Sequence, residues 1–194
     1  MRGRRERGLR NAFGGVLTAR WQSKMRATRR AEGGNSFMDM TWLTERIAFG
    51  GAIWRMDNMA ELARMGVTHV INMQAEFDDT PLAAACGIDL LWNATDDDFL
   101  PKPPELFSRG VEFATGALRE EGSKLYIHCA AGVHRAPMMA LALLCAQGTE
   151  LFDAVQLIES SRPVAEFPEV YLESVRGYLK SDLCPRSDRR IWSR

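Results

Sequence analysis

Ten consecutive residues of this chain combine the parts of a covalent anion-transfer site: His128-Cys129-Ala130-Ala131-Gly132-Val133-His134-Arg135-Ala136-Pro137. Gly132 follows Cys129 by three residues and Arg135 follows Gly132 by three, an arrangement that a chain of this composition yields by chance on the order of 0.0005 times. A lone cysteine is most often a packing residue; the glycine and the arginine at these offsets argue against that here.

Each residue type has a chemical reason to be present. The reactive form of cysteine is the thiolate, which is favoured beside the unsatisfied N–H groups and positive dipole of a helix N-terminus. Cys129 is therefore the candidate nucleophile. Backbone amides across Ala130, Ala131, Gly132, Val133, His134 and Arg135 could cradle three oxygens of a tetrahedral anion, with Gly132 permitting the turn that aims them inward. Arg135 offers a planar fork able to bond two anion oxygens. Pro137 fits the first helical turn, where its missing N–H costs nothing. His128 is expected to order the loop by hydrogen bonding, since an ionised thiolate needs no base. His69 and His134 read as ordinary strand and loop residues, and Cys86, Cys145 and Cys184 as packing cysteines.

A loop of this kind must sit between a strand and a helix. Leu125 to His128 reads as the strand, and the apolar run after Arg135 as a helix buried nearly all round. Upstream, strands are expected at Arg46 to Trp54, Val67 to Met73 and Ile88 to Trp92, with a helix from Asn58 to Met65 stopped by Gly66. Pro103 and Pro104 introduce a helix to about Glu121 whose Leu106, Val111, Ala114 and Leu118 share a face. Two more helices are expected, about Glu150 to Ser161 and Glu169 to Lys180. Such alternation implies an α/β fold, a mostly parallel central sheet with helices on both faces. Ligands in such sheets bind at the carboxyl ends of the strands, where the Cys129 loop lies.

The 194 residues are enough for one sizeable core. We expect a basic extension over 1–38, a catalytic domain over 39–182 and a short tail over 183–194. Residues 1–36 hold ten Arg or Lys and two Glu, a net of +8, so with 25 basic and 25 acidic residues overall the remainder carries −8. Leu9, Phe13, Leu17, Trp21 and Met25 recur every four residues between arginines, the pattern of a basic amphipathic helix, although Gly14-Gly15 weakens it. Three readings stay open for this extension: an organelle-targeting or membrane-surface helix over about 1–30, a segment that contacts acidic surfaces, or an accessory extension. The apolar run from Ala136 to Ala146 is too short to span a bilayer. The four cysteines show neither zinc-site spacing nor the density of a secreted scaffold, which fits a reducing compartment, and the expected location is cytoplasmic. No metal, cofactor or nucleic acid is implied.

The motif His-Cys-x-x-Gly-x-x-Arg, as it stands at 128–135, resembles the signature of the dual-specificity branch of the protein tyrosine phosphatases. The resemblance extends over roughly 44–180 and includes Ile47-Ala48-Phe49-Gly50-Gly51 and Gly66 to Met73, similar to that family's opening strand and the strand after its first helix. It implies a phosphatase fold, hydrolysis through a cysteinyl-phosphate, and Arg135 as the phosphate clamp. Members carry an acidic residue about thirty positions before the cysteine that protonates the leaving oxygen and then activates water. Asp97, within Asp96-Asp97-Asp98, fits that separation best, with Asp98 second. An acid Asp97 beside an ionised Cys129 implies a bell-shaped pH profile centred at about pH 5 to 7. Ala136 stands where many members have Ser or Thr, a departure that keeps a phosphoglycan or small phosphorylated metabolite open beside a phosphoprotein as substrate. A rival of another class is a pseudophosphatase that only binds phosphate groups. Retention of a nucleophile, Cys129, which a binder does not need, argues for the enzyme.

Overall fold

The computed structural model describes residues 38–185; the amphipathic pattern at 9–25 and the residues after Pro185 lie outside that range. In chain order the elements are β1 (Met40–Trp42), β2 (Ile47–Gly50), α1 (Met56–Arg64), β3 (His69–Gln74), α2 (Thr80–Ala85), β4 (Asp89–Thr95), α3 (Pro104–Arg119), β5 (Leu125–His128), α4 (Arg135–Ala146), α5 (Leu151–Ser161) and α6 (Glu169–Lys180). The sheet order is β1-β2-β5-β3-β4. β5 is the centre of the sheet, parallel to β2 on one side and β3 on the other, and β4 is parallel to β3. Only β1 runs antiparallel, on the edge beside β2.

The period of two along these strands sorts side chains onto two faces. Ile47, Phe49, Ile71, Met73, Leu125 and Ile127 enter one cluster with α3, α4, α5 and α6. Ala48, Val70 and Tyr126 face the other way, onto Met59 and Leu62 of α1 and Ala83 of α2. Both faces of the sheet are thus covered by helices, as the alternating pattern implied. α4 is buried at every position except Cys145, which is what an apolar helix without a polar face requires. In α3 the four residues expected to share a face are all buried, joined by Phe107 and Gly110.

Several boundaries differ from those expected, for local reasons. The strand expected to reach Trp54 ends at Gly50: Gly51 N–H still bonds the carbonyl of Asp39 opposite it at 2.8 Å, but Ala52 N–H turns away to the Ala130 carbonyl at 3.2 Å. β4 runs on to Thr95, past the expected end at Trp92, and its pairing with β3 shifts between Asn72 and Gln74. There the Gln74 N–H is taken by the Asn72 side-chain oxygen. α1 begins two residues early and stops before Gly66, whose φ of +83° suits a helix-terminating turn. Neither β1 nor α2 was expected, since three residues carry no readable alternation and Thr-Pro-Leu-Ala-Ala-Ala shows no apolar face.

Phe107 is fully buried, and its ring centroid lies 5.5 Å from that of Tyr178, joining α3 to α6. Phe107→Ala is predicted to destabilise the fold by about 3 to 5 kcal/mol, read as a shift in the urea midpoint at unchanged slope.

Candidate active site

Four parallel strands end on the same edge of the sheet, and the segments that follow them converge there. In register, Gly50 of β2 and Asn72 of β3 stand on either side of His128, the last residue of β5. Cys129 follows directly, 2 % exposed, with its N–H on the Gly50 carbonyl at 3.4 Å. Arg135 opens α4, so the helix N-terminus faces the loop from below.

The carbonyls of this loop are fastened one after another. Ala130 accepts from Ala52 N–H at 3.2 Å and Val133 from Glu166 N–H at 2.8 Å. Ala131 accepts from Arg162 Nη2 and Gly132 from Arg162 Nε, each at 3.0 Å. In a trans peptide the carbonyl and the N–H of the next residue point in opposite directions. Fixing these four oxygens outward therefore turns the N–H groups of Ala131, Gly132, Val133 and His134 to the side enclosing Cys129. Those four N–H groups donate to nothing among the described residues. Such a ring of unused donors over a helix N-terminus is an anion cradle. Gly132 is required twice: its φ is +64°, and a Cβ there would lie 2.5 Å from the Gly50 carbonyl carbon.

Arg135 is 2 % exposed and held by Glu76, which follows β3. Its Nη1 and Nη2 donate to the two Glu76 oxygens at 2.7 and 2.9 Å, and Nη1 also reaches the Thr95 carbonyl at 3.0 Å. Burial works against the charge of Arg135, but the Glu76 bonds and the Cys129 and Asp97 charges raise it above its ordinary value. Glu76 grips the end of the fork. The side edge, Nε–H with the second Nη2 hydrogen, remains; Nε has no hydrogen-bond partner among the described residues, and Asp97 Oδ2 is 3.7 Å away. Glu76 thus orients the guanidinium without using the edge that could bond two anion oxygens.

The three consecutive aspartates separate by their partners. Asp98 is tied down, with Oδ1 accepting from Lys102 Nζ at 2.5 Å and from Leu100 N–H at 3.0 Å; those bonds, Lys102's first, hold its carboxyl below the usual range. Asp97 instead faces the loop. Its Oδ1 accepts from the Tyr171 hydroxyl at 3.0 Å, and its Oδ2 lies 3.1 Å from His134 Nδ1. Burial pushes Tyr171 up to about 12, which keeps it a neutral donor. Phe99 holds a φ of +57°, a backbone state that costs a non-glycine residue about 1 kcal/mol or more. It is secured by its N–H on Tyr171 Oη at 3.1 Å and by its ring, stacked 6.0 Å from Tyr171 and edge-on 5.2 Å from His134.

Two histidines behave differently from expectation. His134, read as an ordinary loop residue, stands between Asp97 and Glu166, the latter 3.4 Å from Nε2. His128, expected to order the loop, is fully buried with Nε2 3.0 Å from Asp79 Oδ2, close but without the alignment of a directed hydrogen bond. Asp79 is itself fully buried, and its other oxygen accepts from Asn72 Nδ2 at 2.6 Å. Glu76, Asp79, Tyr171, Arg162 and Glu166 were not singled out from the sequence. Glu76 had a usable signal, an acidic residue just past the end of a parallel strand. Asp79, three residues further along the same segment, shared that signal, whereas Tyr171, Arg162 and Glu166 reach the site from distant positions and had none.

Arg135 lowers the pKa of Glu76 from the usual 4.5. A carboxyl lowered in the folded state contributes stability that is fully present above its unfolded value and is lost as the pH falls through the folded one. Glu76→Gln is therefore predicted to be less stable than wild type at pH 7, by about 1 kcal/mol or less because Glu76 is half-exposed. That gap should close as the pH is lowered below 4.5; urea melts of both proteins across this range provide the check.

Comparison with known proteins agrees with this geometry. Residues 52–178 match the family model for the dual specificity phosphatase catalytic domain. The human dual specificity protein phosphatase 26 is 31% identical over 137 residues, which are 70% of this chain and 61% of that protein. The human protein phosphatase Slingshot homolog 3 is 30% identical over 130 residues, 66% of this chain and 19% of that protein. The chain spans about three fifths of the length of the first of these relatives. Among solved structures, Tk-PTP in its active form has a TM-score of 0.65 at 20% identity, covering 73% of this chain and 97% of that one. PTPMT1 in complex with PI(5)P has the same score and identity, covering 73% and 94%. The matched segment contains the whole Cys129 loop, Arg135 and Asp97, and on that basis this chain belongs to the dual specificity phosphatase catalytic-domain family.

Proposed function

We propose that this chain hydrolyses phosphate monoesters through a cysteinyl-phosphate and acts first on phosphoproteins. The observation that carries the reading is the set of inward N–H groups around Cys129, closed by the side edge of Arg135. A tetrahedral dianion is the ligand that such a ring fits: three nonbridging oxygens take the amides and the guanidinium, and the phosphorus is presented to the thiolate.

In the first step Cys129 Sγ attacks phosphorus in line, the S–P bond forms, and the P–O bond to the leaving group breaks. Asp97 supplies the proton that the departing oxygen takes. Water then gives a proton back to Asp97 and attacks phosphorus, and the electron pair of the S–P bond returns to sulfur. Asp97 is preferred to Asp98 because Asp98 is committed to Lys102 and Leu100, while Asp97 lies beside Arg135. Ala136 is fully buried behind the loop and offers no hydroxyl to the departing sulfur, so the loop amides are left to stabilise it.

The charges around the loop bear on the substrate. Each nearby cation already has a carboxylate: Arg135 has Glu76, Arg162 has Asp39, and Lys102 has Asp98. Little positive potential is left for further phosphates, which favours a singly phosphorylated group over a multiply phosphorylated one. Trp54 and Phe77 pair at 5.4 Å on the segments after β2 and β3, and Phe99 is 54 % exposed beside His134. Aromatic surfaces on these loops suit a phosphotyrosine side chain. The same rim admits a phosphorylated glycan or metabolite, and a panel of phosphotyrosine peptide, phosphoglycan and polyphosphorylated inositol lipid separates these classes. The basic 1–36 segment is assigned a salt-sensitive contact with acidic surfaces, apart from the chemistry.

On an aryl phosphate Cys129→Ser is predicted to abolish turnover with the fold intact by circular dichroism; activity within tenfold of wild type would sink the assignment. For a substrate with a poor leaving group, Asp97→Asn is predicted to cost about 10²-fold or more in kcat and to flatten the basic limb of the pH profile. Asp98→Asn should cost less than about tenfold. If the two variants exchange these signatures, Asp98 is the acid.

A further inference from the structure

The largest buried charge that the proposed chemistry does not use is Arg162, which follows α5 and is 7 % exposed. One edge of its guanidinium holds the loop: Nε donates to the Gly132 carbonyl and Nη2 to the Ala131 carbonyl, both at 3.0 Å. The remaining edge is taken by Asp39, with Nη1 to Oδ1 at 2.7 Å and Nη2 to Oδ2 at 2.6 Å. The Asp39 bonds outweigh burial and raise Arg162 above its ordinary value. A buried guanidinium without such a partner would carry an uncompensated desolvation penalty.

Asp39 is itself fixed by its backbone. Its carbonyl accepts from Gly51 N–H at 2.8 Å, and Gly50 lies so close beneath it that a Cβ would overlap that carbonyl. Gly50 in turn is the residue against which Gly132 packs. Asp39, Gly50 and Gly132 therefore form three backbone layers with no room for a side chain between them, and Arg162 ties the outer layer to the inner. Asp39 precedes the 52–178 segment matched by the family model.

We propose that Arg162, braced by Asp39, is a positioning residue for the phosphate cradle: it holds two loop carbonyls outward and so aims the Gly132 and Val133 N–H groups at the anion. The inference rests on the phosphate-binding reading above. Arginine is needed because a planar fork serves four acceptor oxygens at fixed angles, which an ammonium cannot do. Asp39 makes the start of the catalytic fold part of the cradle, although it touches no substrate.

The test uses the full chain with inorganic phosphate as ligand, followed by calorimetry. A second readout compares alkylation of Cys129 by anionic iodoacetate and neutral iodoacetamide, measured on the Cys129 peptide by mass spectrometry. Asp39→Asn, at an exposed position and nearly isosteric, should fold and weaken phosphate binding by about threefold to tenfold; Arg162→Lys should weaken it by about tenfold or more. Both should lower the ratio of iodoacetate to iodoacetamide rates, and Asp39→Glu should restore binding to within about twofold. A merely structural role would lower the melting temperature and leave affinity and alkylation ratio unchanged, which overturns the proposal. If Arg162→Lys does not fold, Asp39→Asn decides alone. Turnover is not used to judge the variants, so a wild type that binds inorganic phosphate but does not hydrolyse an aryl phosphate sinks the enzymatic reading and leaves this one to be judged on its variants. A wild type that binds no phosphate overturns both.

Discussion

A peptide group cannot point its carbonyl and its N–H at the same ligand, so an anion site built of backbone amides exists only where the matching carbonyls are held elsewhere. That constraint organises this molecule. Four loop carbonyls must find donors behind the site, and they find Ala52, Arg162 and Glu166, which belong to two widely separated parts of the chain. The parallel sheet brings the first of these into place, because β2 lies beside β5 and its continuation runs alongside the loop. The turn after α5 brings the other two. Conformation at the reacting centre is thus set by groups that never meet the ligand.

Charge follows the same logic. The loop is rich in donors, yet every strong cation near it is balanced by a carboxylate, which lowers the cost of keeping arginines dehydrated before any anion arrives. Glu76 and Asp39 do this in complementary ways. The first grips the end of the Arg135 fork and leaves its side edge, whereas the second fills the end of the Arg162 fork and leaves the side edge to loop carbonyls. Two bidentate arginine pairs with the same chemistry therefore serve opposite purposes, one presenting donors to a ligand and the other consuming them for structure.

What the sequence made legible is what depends on local pattern. His128 to Arg135 is a contiguous motif, β5 and α6 have the expected bounds, and the all-round burial of α4 follows from its composition. Asp97 and Asp98, which the family resemblance alone ranked, differ in their partners: Lys102 holds the second, while the first meets Tyr171 and His134. Illegible were the residues whose role arises from tertiary approach. Arg162 is one arginine among many in the sequence, and nothing near it marks it as a donor to a loop thirty residues away. His134 looked ordinary because the carboxylates on either side of it come from the loop after β4 and the turn after α5. β1 is three residues long, and its importance lies in Asp39 just before it, where no periodicity can speak.

The two halves of the proposed chemistry are held by different kinds of bond. Carbonyls of the phosphate loop are fixed to backbone amides and to one buried guanidinium, and the loop lies against backbone that leaves it no room to yield, as the stacking of Gly132 on Gly50 shows. The acid loop is held mainly by side chains: Tyr171 and His134 on Asp97, Lys102 on Asp98, and the Phe99 ring on Tyr171. Side-chain contacts at a partly exposed site rearrange at far lower cost than a buried backbone, and the positive φ of Phe99 is held by contacts of that kind, to Tyr171 and His134. Phosphate binding needs fixed geometry, because its donors must match three oxygens at once. Proton delivery must follow a leaving oxygen whose position changes from substrate to substrate. A rigid cradle beside a side-chain-held acid answers both requirements within one fold.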